Sequence, residues 1–263
     1  MNKQIISMTA VAAMAGAALA VESKNVVGFQ NFGGFGNFNL TAITFEPIGS
    51  ETFTLGQIKV NSAFDNGADY ISIWNGGTKL YEASYLSKAD AEAEGVEEGW
   101  YLTSAIEAWE FSAADCKNSE VLAKGKGLVF HRGTSGAAMK YSGQVQAANE
   151  VFTGFGNFNI TANTTAAPIT LGQIKVNSAF DNGADYISIW NGGTKQYEAS
   201  YLSKADAEAE GVEEGWYLTS AIEAWEFSAA DCKNSETLPP GKGFVFHRGT
   251  SGAGIILPSP LAE

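Results

Sequence analysis

The feature that most constrains this chain is a stretch of 66 residues that occurs twice. Residues 55–120 recur as residues 171–236, shifted by 116 positions, and the copies differ only where Leu80 is replaced by Gln196. Because both copies carry the same pattern of apolar and polar positions, they are expected to fold alike. Two equal units cannot each supply half of one asymmetric active site, so the repeat predicts two like domains with like surfaces.

The first twenty residues have the form of an export signal. Lys3 precedes an apolar run over residues 5–19, and Ala18-Leu19-Ala20 has the small-x-small pattern that signal peptidase cuts after. The run is too short and too weakly apolar for a good membrane span; a retained N-terminal anchor is the alternative. The predicted organisation is a signal peptide at 1–20, a first β domain at 21–146 and a second at 147–263. The mature chain is then secreted or held at the cell surface, with no membrane insertion.

Short alternating runs separated by turn residues indicate an all-β fold. The clearest is a hairpin: residues 69–74, the turn Asn75-Gly76-Gly77-Thr78, and residues 80–86. On its second strand Leu80, Glu82 and Ser84 share the face predicted to be solvated. A phase slip at Gly56-Gln57 predicts a β-bulge, and residues 100–111 are interpreted as strand, turn and strand. With roughly eight short strands at intervals of ~8–12 residues in each unit, the pattern predicts two tandem β-sandwich or small-barrel domains.

Each predicted domain also contains one short helix. Ser87 and Asp90 have capping-box spacing, with Asp in place of Glu, and Gly95 is a stop signal. The helix between them is predicted to be polar all round and to face solvent. Its acidic residues and those that follow it (Asp90, Glu92, Glu94, Glu97 and Glu98) are interpreted as a solvated surface, with a calcium or cationic-partner site as the alternative.

The formal charge of −13 excludes some classes of partner. Nucleic acid needs Lys and Arg to release phosphate counterions, so no nucleic-acid partner is predicted. An anionic membrane surface is disfavoured for the same reason.

Calcium is the single cofactor considered, and its main candidate ligands are carboxylate oxygens in the turn before the hairpin. The spacing is not that of an EF-hand, and a structural turn followed by a strand-starting Asp is the favoured interpretation. The candidate ligands are Asp65, Asp69, Asp181 and Asp185.

The tryptophans are the candidates for ligand binding, because aromatic ring faces can stack on pyranose rings. Core positions are favoured for at least two of the three in each copy. The six are Trp74, Trp100 and Trp109 in the first copy and Trp190, Trp216 and Trp225 in the second.

Cys116 and Cys232 occupy equivalent positions in the two copies. Three interpretations stay open: a bridge between repeats, a bridge to another molecule, or two buried free thiols. The histidines, His131 and His247, each stand before an Arg at the end of a β run. They are interpreted as strand-end pairs that meet carboxylates, and no catalytic residue is predicted, because the Ser that follows lacks a nucleophile-elbow motif.

The order of several glycine and aromatic patterns resembles a set of exported, mostly uncharacterised β-domain proteins of Planctomycetes–Verrucomicrobia-type bacteria. In this chain the patterns are residues 67–74 (GADYISIW), Trp100-Tyr101, residues 125–130 (GKGLVF) and residues 142–145 (SGQV). The resemblance implies export and β architecture and carries no catalytic residues.

The function predicted is that of an exported, non-enzymatic structural or surface-interaction protein. Open β edges would let it assemble with itself into a filament or surface layer, or bind cell-surface proteins, and a head-to-tail tandem is half-way to an open-ended assembly. The alternative is a tandem carbohydrate-binding module that uses exposed Trp and Tyr to bind polysaccharide. A secreted hydrolase is a distant third.

Overall fold

The computed structural model describes residues 27–48, 52–145, 148–165, 167–259 and 261. The predicted signal peptide lies outside these residues, as do residues 146 and 147 at the predicted boundary between the two domains. Within the described ranges, no helix is long and apolar enough to cross a membrane.

The chain is mostly antiparallel β-structure, as predicted, arranged in small sheets. The first repeat contains β1 (Val27–Phe32), β2 (Phe38–Ala42), β3 (Lys59–Val60), β4 (Tyr70–Asn75), β5 (Thr78–Leu86), β6 (Gly99–Leu102), β7 (Gly127–His131) and β8 (Met139–Gln144). The second contains β9 (Glu150–Phe152), β10 (Phe158–Ala162), β11 (Ile169–Thr170), β12 (Lys175–Val176), β13 (Tyr186–Asn191), β14 (Thr194–Leu202), β15 (Gly215–Leu218), β16 (Thr237–Leu238), β17 (Gly243–His247) and β18 (Ile255–Leu257). The helices are α1 (Lys88–Glu94) and α2 (Thr103–Ala108), with counterparts α3 (Lys204–Glu210) and α4 (Thr219–Ala224).

Each repeat builds its own pair of larger sheets. In the first repeat the strand orders are β2-β7-β4-β5-β6 and β1-β8-β3, and in the second they are β10-β17-β13-β14-β15 and β12-β18-β9, with a small β11-β16 pair added. All these strand ladders join strands of the same repeat. Each repeat also has its own apolar core, which takes side chains from both of its larger sheets and includes the fully buried Trp100 in one repeat and Trp216 in the other.

The predicted hairpin is confirmed as β4 and β5. Gly76 and Gly77 both have positive φ, 56° and 98°, in the tight turn that joins the strands. The exposed fraction of Leu80 is 49%, which fits the predicted solvated face. Ser84, predicted on that face, is instead fully buried: its hydroxyl donates to the carbonyl of Asp69 at 2.6 Å, because the loop before β4 covers this end of β5.

Helix α1 is confirmed, with its predicted limits. The Ser87 hydroxyl accepts a hydrogen bond from the Asp90 amide at 3.2 Å, and Gly95 ends the helix with φ of 68°. Its surface is not polar all round, since Ala91 is buried against Ile106 and other apolar side chains.

Two local predictions are wrong. Residues 103–108 form helix α2 where a turn and second strand were expected, because a helix brings Ala105 and Ile106 together onto the buried side of β5 and β6. The predicted bulge at Gly56-Gln57 is a 3-10 turn, Leu55–Gln57, whose Gln57 side chain accepts a hydrogen bond from the Thr54 amide at 2.9 Å.

The two repeats pack against each other through the same face. Strands β2 and β7 meet β10 and β17, and Leu40, Val129, Ile160 and Val245 form a buried cluster between them. Contacts across this junction occur in pairs with the roles exchanged. Lys126 Nζ lies 5.0 Å from the ring centroid of Phe155, and Lys242 Nζ lies 4.7 Å from that of Phe35.

Such reciprocal pairing is the signature of an isologous interface, which closes on itself. Within the chain, the repeats therefore meet through a symmetric contact and not through the heterologous contact considered for open-ended assembly, and assembly between chains stays a prediction. The covalent tandem has the geometry of a symmetric dimer whose two subunits are joined.

Candidate functional site

An open groove lies at the outer edge of the five-stranded sheet in each repeat, beside β6 or β15. The groove in the first repeat has a volume of about 610 Å³ and that in the second about 630 Å³. Strands β6 and β15 lie four positions along their sheets from β2 and β10, which form the junction. The two grooves therefore occupy edges distant from the junction. The first groove is lined by Val96, Glu97, Tyr101, Phe111, Ser112, Ala113, Cys116, Asn118 and Ser119.

The polar floor of the groove is a small hydrogen-bond network around Glu97. One carboxylate oxygen accepts from the Cys116 thiol at 2.9 Å and from the Asn118 amide nitrogen at 3.0 Å. The Tyr101 hydroxyl donates to the Glu97 carbonyl at 3.0 Å. Asn118 also accepts from the Trp100 amide at 2.8 Å, at a place where Gly99 (φ 143°) leaves room for the Asn118 side chain. The floor is thus fixed by side chains that come from separate loops.

The network sets the protonation states of its members. Hydrogen bonds from Cys116 and Asn118 lower the pKa of Glu97. Burial and the hydrogen bond to Glu97 raise the pKa of the Cys116 thiol, and burial is the main cause that raises the pKa of Tyr101 to about 12. At neutral pH the carboxylate is therefore charged and the thiol keeps its proton. A protonated thiol is a poor nucleophile.

Trp109 stands beside this floor. It follows α2 with φ of 55°, and its exposed fraction is 45%. The indole Nε1 donates to a Glu94 carboxylate oxygen at 2.8 Å, and the ring lies edge-on to Phe111 with centroids 5.5 Å apart. Since Phe111 lines the groove, the Trp109 ring is fixed next to it while much of its surface stays open to solvent.

The second repeat reproduces this arrangement. Trp225 has φ of 54° and an exposed fraction of 46%, and its Nε1 donates to Glu210 at 2.7 Å. The Cys232 thiol donates to Glu213 at 3.0 Å. The chain thus carries two matching grooves.

The other candidate tryptophans have different positions. Trp100 and Trp216 are fully buried, and each indole donates to a backbone carbonyl of the core at 2.8 Å. Trp74 and Trp190 are half-buried beside the junction between the repeats. Of the six candidate tryptophans, only Trp109 and Trp225 are exposed.

The candidate calcium ligands are engaged with the backbone. Asp69 is completely buried, and its two carboxylate oxygens accept from the amides of Gly133, Thr134 and Asp65 at 2.8 to 2.9 Å. Asp65 accepts from the Gly67 amide at 2.8 Å. Asp181 and Asp185 repeat these contacts. In the described ranges, no three His, Cys, Asp or Glu side chains come together as a metal site.

The structure also shows what surrounds the cysteines and the histidines. Cys116 and Cys232 are free thiols in separate grooves, so the bridge between repeats considered above is not formed. The His131 ring stacks on Tyr70 with centroids 4.2 Å apart, and its Nε2 lies 3.1 Å from the Ser72 hydroxyl. The Arg132 guanidinium donates to the Gly33 carbonyl and not to the carboxylate expected for a strand-end pair, because the loop before β2 folds back over it.

Asn118 is the member of the site that the sequence patterns do not indicate, and Glu97 is indicated only as one of a run of acidic residues.

In comparisons with known proteins, no family model, curated protein or solved structure matches this chain.

Proposed function

We propose that the chain is an exported, non-enzymatic surface-interaction protein made of two like β-sandwich modules, and that it binds a polysaccharide through both modules at once. Trp109 and Trp225 are the stacking platforms, and the grooves beside them hold the neighbouring sugar units. The observation that carries the proposal is the exposed tryptophan held in a left-handed backbone conformation in each module.

A left-handed helix end normally carries glycine, because a side chain there costs roughly 1–2 kcal/mol. Among the described residues, Trp109 and Trp225 are the only ones other than glycine with positive φ. Their rings remain nearly half exposed, so core packing does not account for the choice of side chain. Backbone strain that burial does not explain points to a functional role for the side chain.

The Trp109 ring is also rigid before any ligand binds. The hydrogen bond to Glu94 and the edge contact with Phe111 hold the indole in place. Ordering a free side chain on binding costs about 0.5–1.5 kcal/mol, and a ring that is already fixed avoids most of that cost. A flat, immobile aromatic face is the surface that stacks well on a pyranose ring.

Two equal sites on one chain suit a repetitive ligand. When one groove is occupied, the second meets the same polymer at a high effective concentration, and avidity can exceed single-site affinity by about 10²–10⁴-fold. This gain depends on both copies keeping the same groove, which agrees with the identity of residues 97–120 and 213–236.

The test is binding of the full chain to insoluble cellulose, chitin, xylan and starch, with Trp109→Gly, Trp225→Gly and the double variant. Glycine suits positive φ, so lost binding reports the ring and not the backbone. Each single variant should bind at least tenfold more weakly, and the double variant should not bind. Val121→Thr is the matched control, because it changes an exposed apolar side chain to the residue that the second repeat already has. Binding to none of the four polymers, or equal binding by the double variant, would refute the proposal.

Self-assembly through strand edges is the second candidate. Strand β1 pairs only with β8 in the described part of the chain, and Phe29 on it has an exposed fraction of 68%. An open edge with an exposed aromatic side chain can accept another strand. Sedimentation velocity over a range of concentrations, with Phe29→Lys as comparison, tests this. Polymers that Phe29→Lys abolishes would support it, and a monomer at all concentrations would exclude it.

A further inference from the structure

A third cavity lies where the two repeats meet. Unlike the paired grooves, it is lined by residues that differ from the equivalent residues of the first repeat. Its volume is about 500 Å³, and it combines Phe35 of the first repeat with residues of the second. The side chains that matter for its chemistry are Trp190, Gln196, Tyr197, Glu236 and Lys242.

Two of the differences between the copies lie at this junction pocket. Gln196, the one substitution within the 66-residue repeat, lines it. Thr237, the first substitution after the repeat ends, lines it as well. The corresponding residues of the first repeat are Leu80 and Val121, whose exposed fractions are 49% and 55%. Two changes far apart in sequence thus convert one surface from apolar to hydrogen bonding.

Two residues that line the pocket also carry polar atoms whose hydrogen bonds are not made within the described chain. Trp190 Nε1 and the Tyr197 hydroxyl are buried and lack a partner. A buried donor left unpaired is costly, and a ligand oxygen that accepts from it removes that cost. Trp74 and Tyr81 have the same unpaired atoms in the first repeat, but there the adjoining side chain is Leu80 and not an amide.

The charges favour a neutral ligand. Lys242 and Glu236 line the same pocket, so one cation and one anion are available as hydrogen-bonding groups. Lys242 also lies against the Phe35 ring, with Nζ 4.7 Å from the centroid, which ties the pocket to the junction between the repeats. The overall charge of −13 works against an anionic ligand.

We infer that this junction pocket binds a neutral sugar unit, with hydroxyl groups that meet Gln196, Glu236 and Lys242 and a ring that meets the aromatic side chains. Aromatic faces combined with a few planar polar side chains are the lining that such a ligand needs. The site goes beyond the function proposed above, since it uses neither Trp109 nor Trp225. Because the first repeat has leucine at the position of Gln196, the chain has one such site and not two.

The test follows the indole N–H signals of the full, 15N-labelled chain by NMR. Glucose, galactose, mannose and N-acetylglucosamine are each added to about 20 mM, well above a millimolar dissociation constant. The Trp190 signal, assigned from Trp190→Phe, should move with at least one sugar while the Trp74 signal stays in place. Gln196→Leu should weaken that response at least tenfold. This variant carries the residue that the first repeat has at the same strand position, so the fold tolerates it.

The result separates this site from the grooves. In the Trp109→Gly/Trp225→Gly variant, the Trp190 response should be unchanged even where polysaccharide binding is lost. A Trp190 signal that no sugar moves, or that moves equally in Gln196→Leu, would overturn the inference.

Discussion

Gly127→Ala should open the junction between the repeats. Gly127 lies in β7 without positive φ, so alanine brings no backbone strain there. An added Cβ would, however, lie 2.5 Å from the carbonyl oxygen of Ile160 in β10. Non-bonded atoms are comfortable at about 3.5–4.0 Å, so the two sheets must separate by about 1 Å.

The expected loss of stability comes from the apolar cluster at the junction, which this separation loosens. Leu40, Val129, Ile160 and Val245 are each no more than 8% exposed. A buried aliphatic side chain contributes roughly 1.5–3 kcal/mol, so the cluster contributes about 6–12 kcal/mol. A gap of about 1 Å forfeits a quarter to a half of the contact energy across it. A quarter to a half of the cluster's contribution is about 1.5–6 kcal/mol, so the free energy of unfolding should fall by roughly 3 kcal/mol.

The assay is urea denaturation followed by tryptophan fluorescence, with the change taken from the shift in midpoint at constant slope. Gly67→Ala is the matched control, since Gly67 is exposed and an added Cβ meets nothing closer than 3.4 Å. Gly243→Ala makes the reciprocal contact with Leu40 and should cost as much as Gly127→Ala. The double variant should cost less than the sum, because one clash already opens the interface. A midpoint for Gly127→Ala that equals that of Gly67→Ala would refute the reasoning.

Three further outcomes are expected. Glu97→Gln should lower the pKa of Cys116 and speed its alkylation by iodoacetamide at pH 8. Mass spectrometry compares this rate with that of Cys232, whose surroundings are unchanged in the same molecule. Equal rates for the two thiols would contradict the hydrogen-bond network around Glu97. Burial lowers the pKa of His131, so the unfolded state takes up the proton first, and stability should decline as pH falls below about 6.5, the unfolded value. Urea midpoints at pH 7 and 5.5 measure this, and the decline should be smaller in His131→Gln; an unchanged decline would exclude this source. Asp69→Ala leaves three backbone amides without their acceptor and should cost about 4 kcal/mol in the same assay, whereas a loss under 1 kcal/mol would contradict the buried carboxylate's role.

The parts of the fold that the sequence predicts are those set by neighbouring residues. The β4-β5 hairpin follows from strand alternation and the two glycines between the strands, and α1 follows from Ser87 and Gly95 at its ends. Both signals act within one turn or one helix, and the structure confirms both.

The predictions that are wrong depend on distant packing. The segment 103–108 is short and has aromatic residues on both sides, a pattern that also fits strands. The apolar surface on which it packs selects the helix. Strand alternation alone predicts that Ser84 is exposed. It is buried by Asp69 and Asn66, which lie 15 and 18 positions earlier in the chain. The same limit applies to the groove: six tryptophans are visible in the sequence, yet exposure of Trp109 depends on where α2 ends. Asn118 joins Glu97 across 21 residues without a local pattern.

Fusion of the two repeats explains how symmetry and difference coexist in this chain. In a homodimer, every substitution appears twice, so a change at the junction alters both sides. In a fused pair with an isologous interface, one copy can change alone. Gln196 and Thr237 change one side of the junction, while the reciprocal contacts of Lys126 with Phe155 and Lys242 with Phe35 stay alike. The proposed binding of a repetitive ligand needs equal grooves, whereas one side of the junction can specialise without the other.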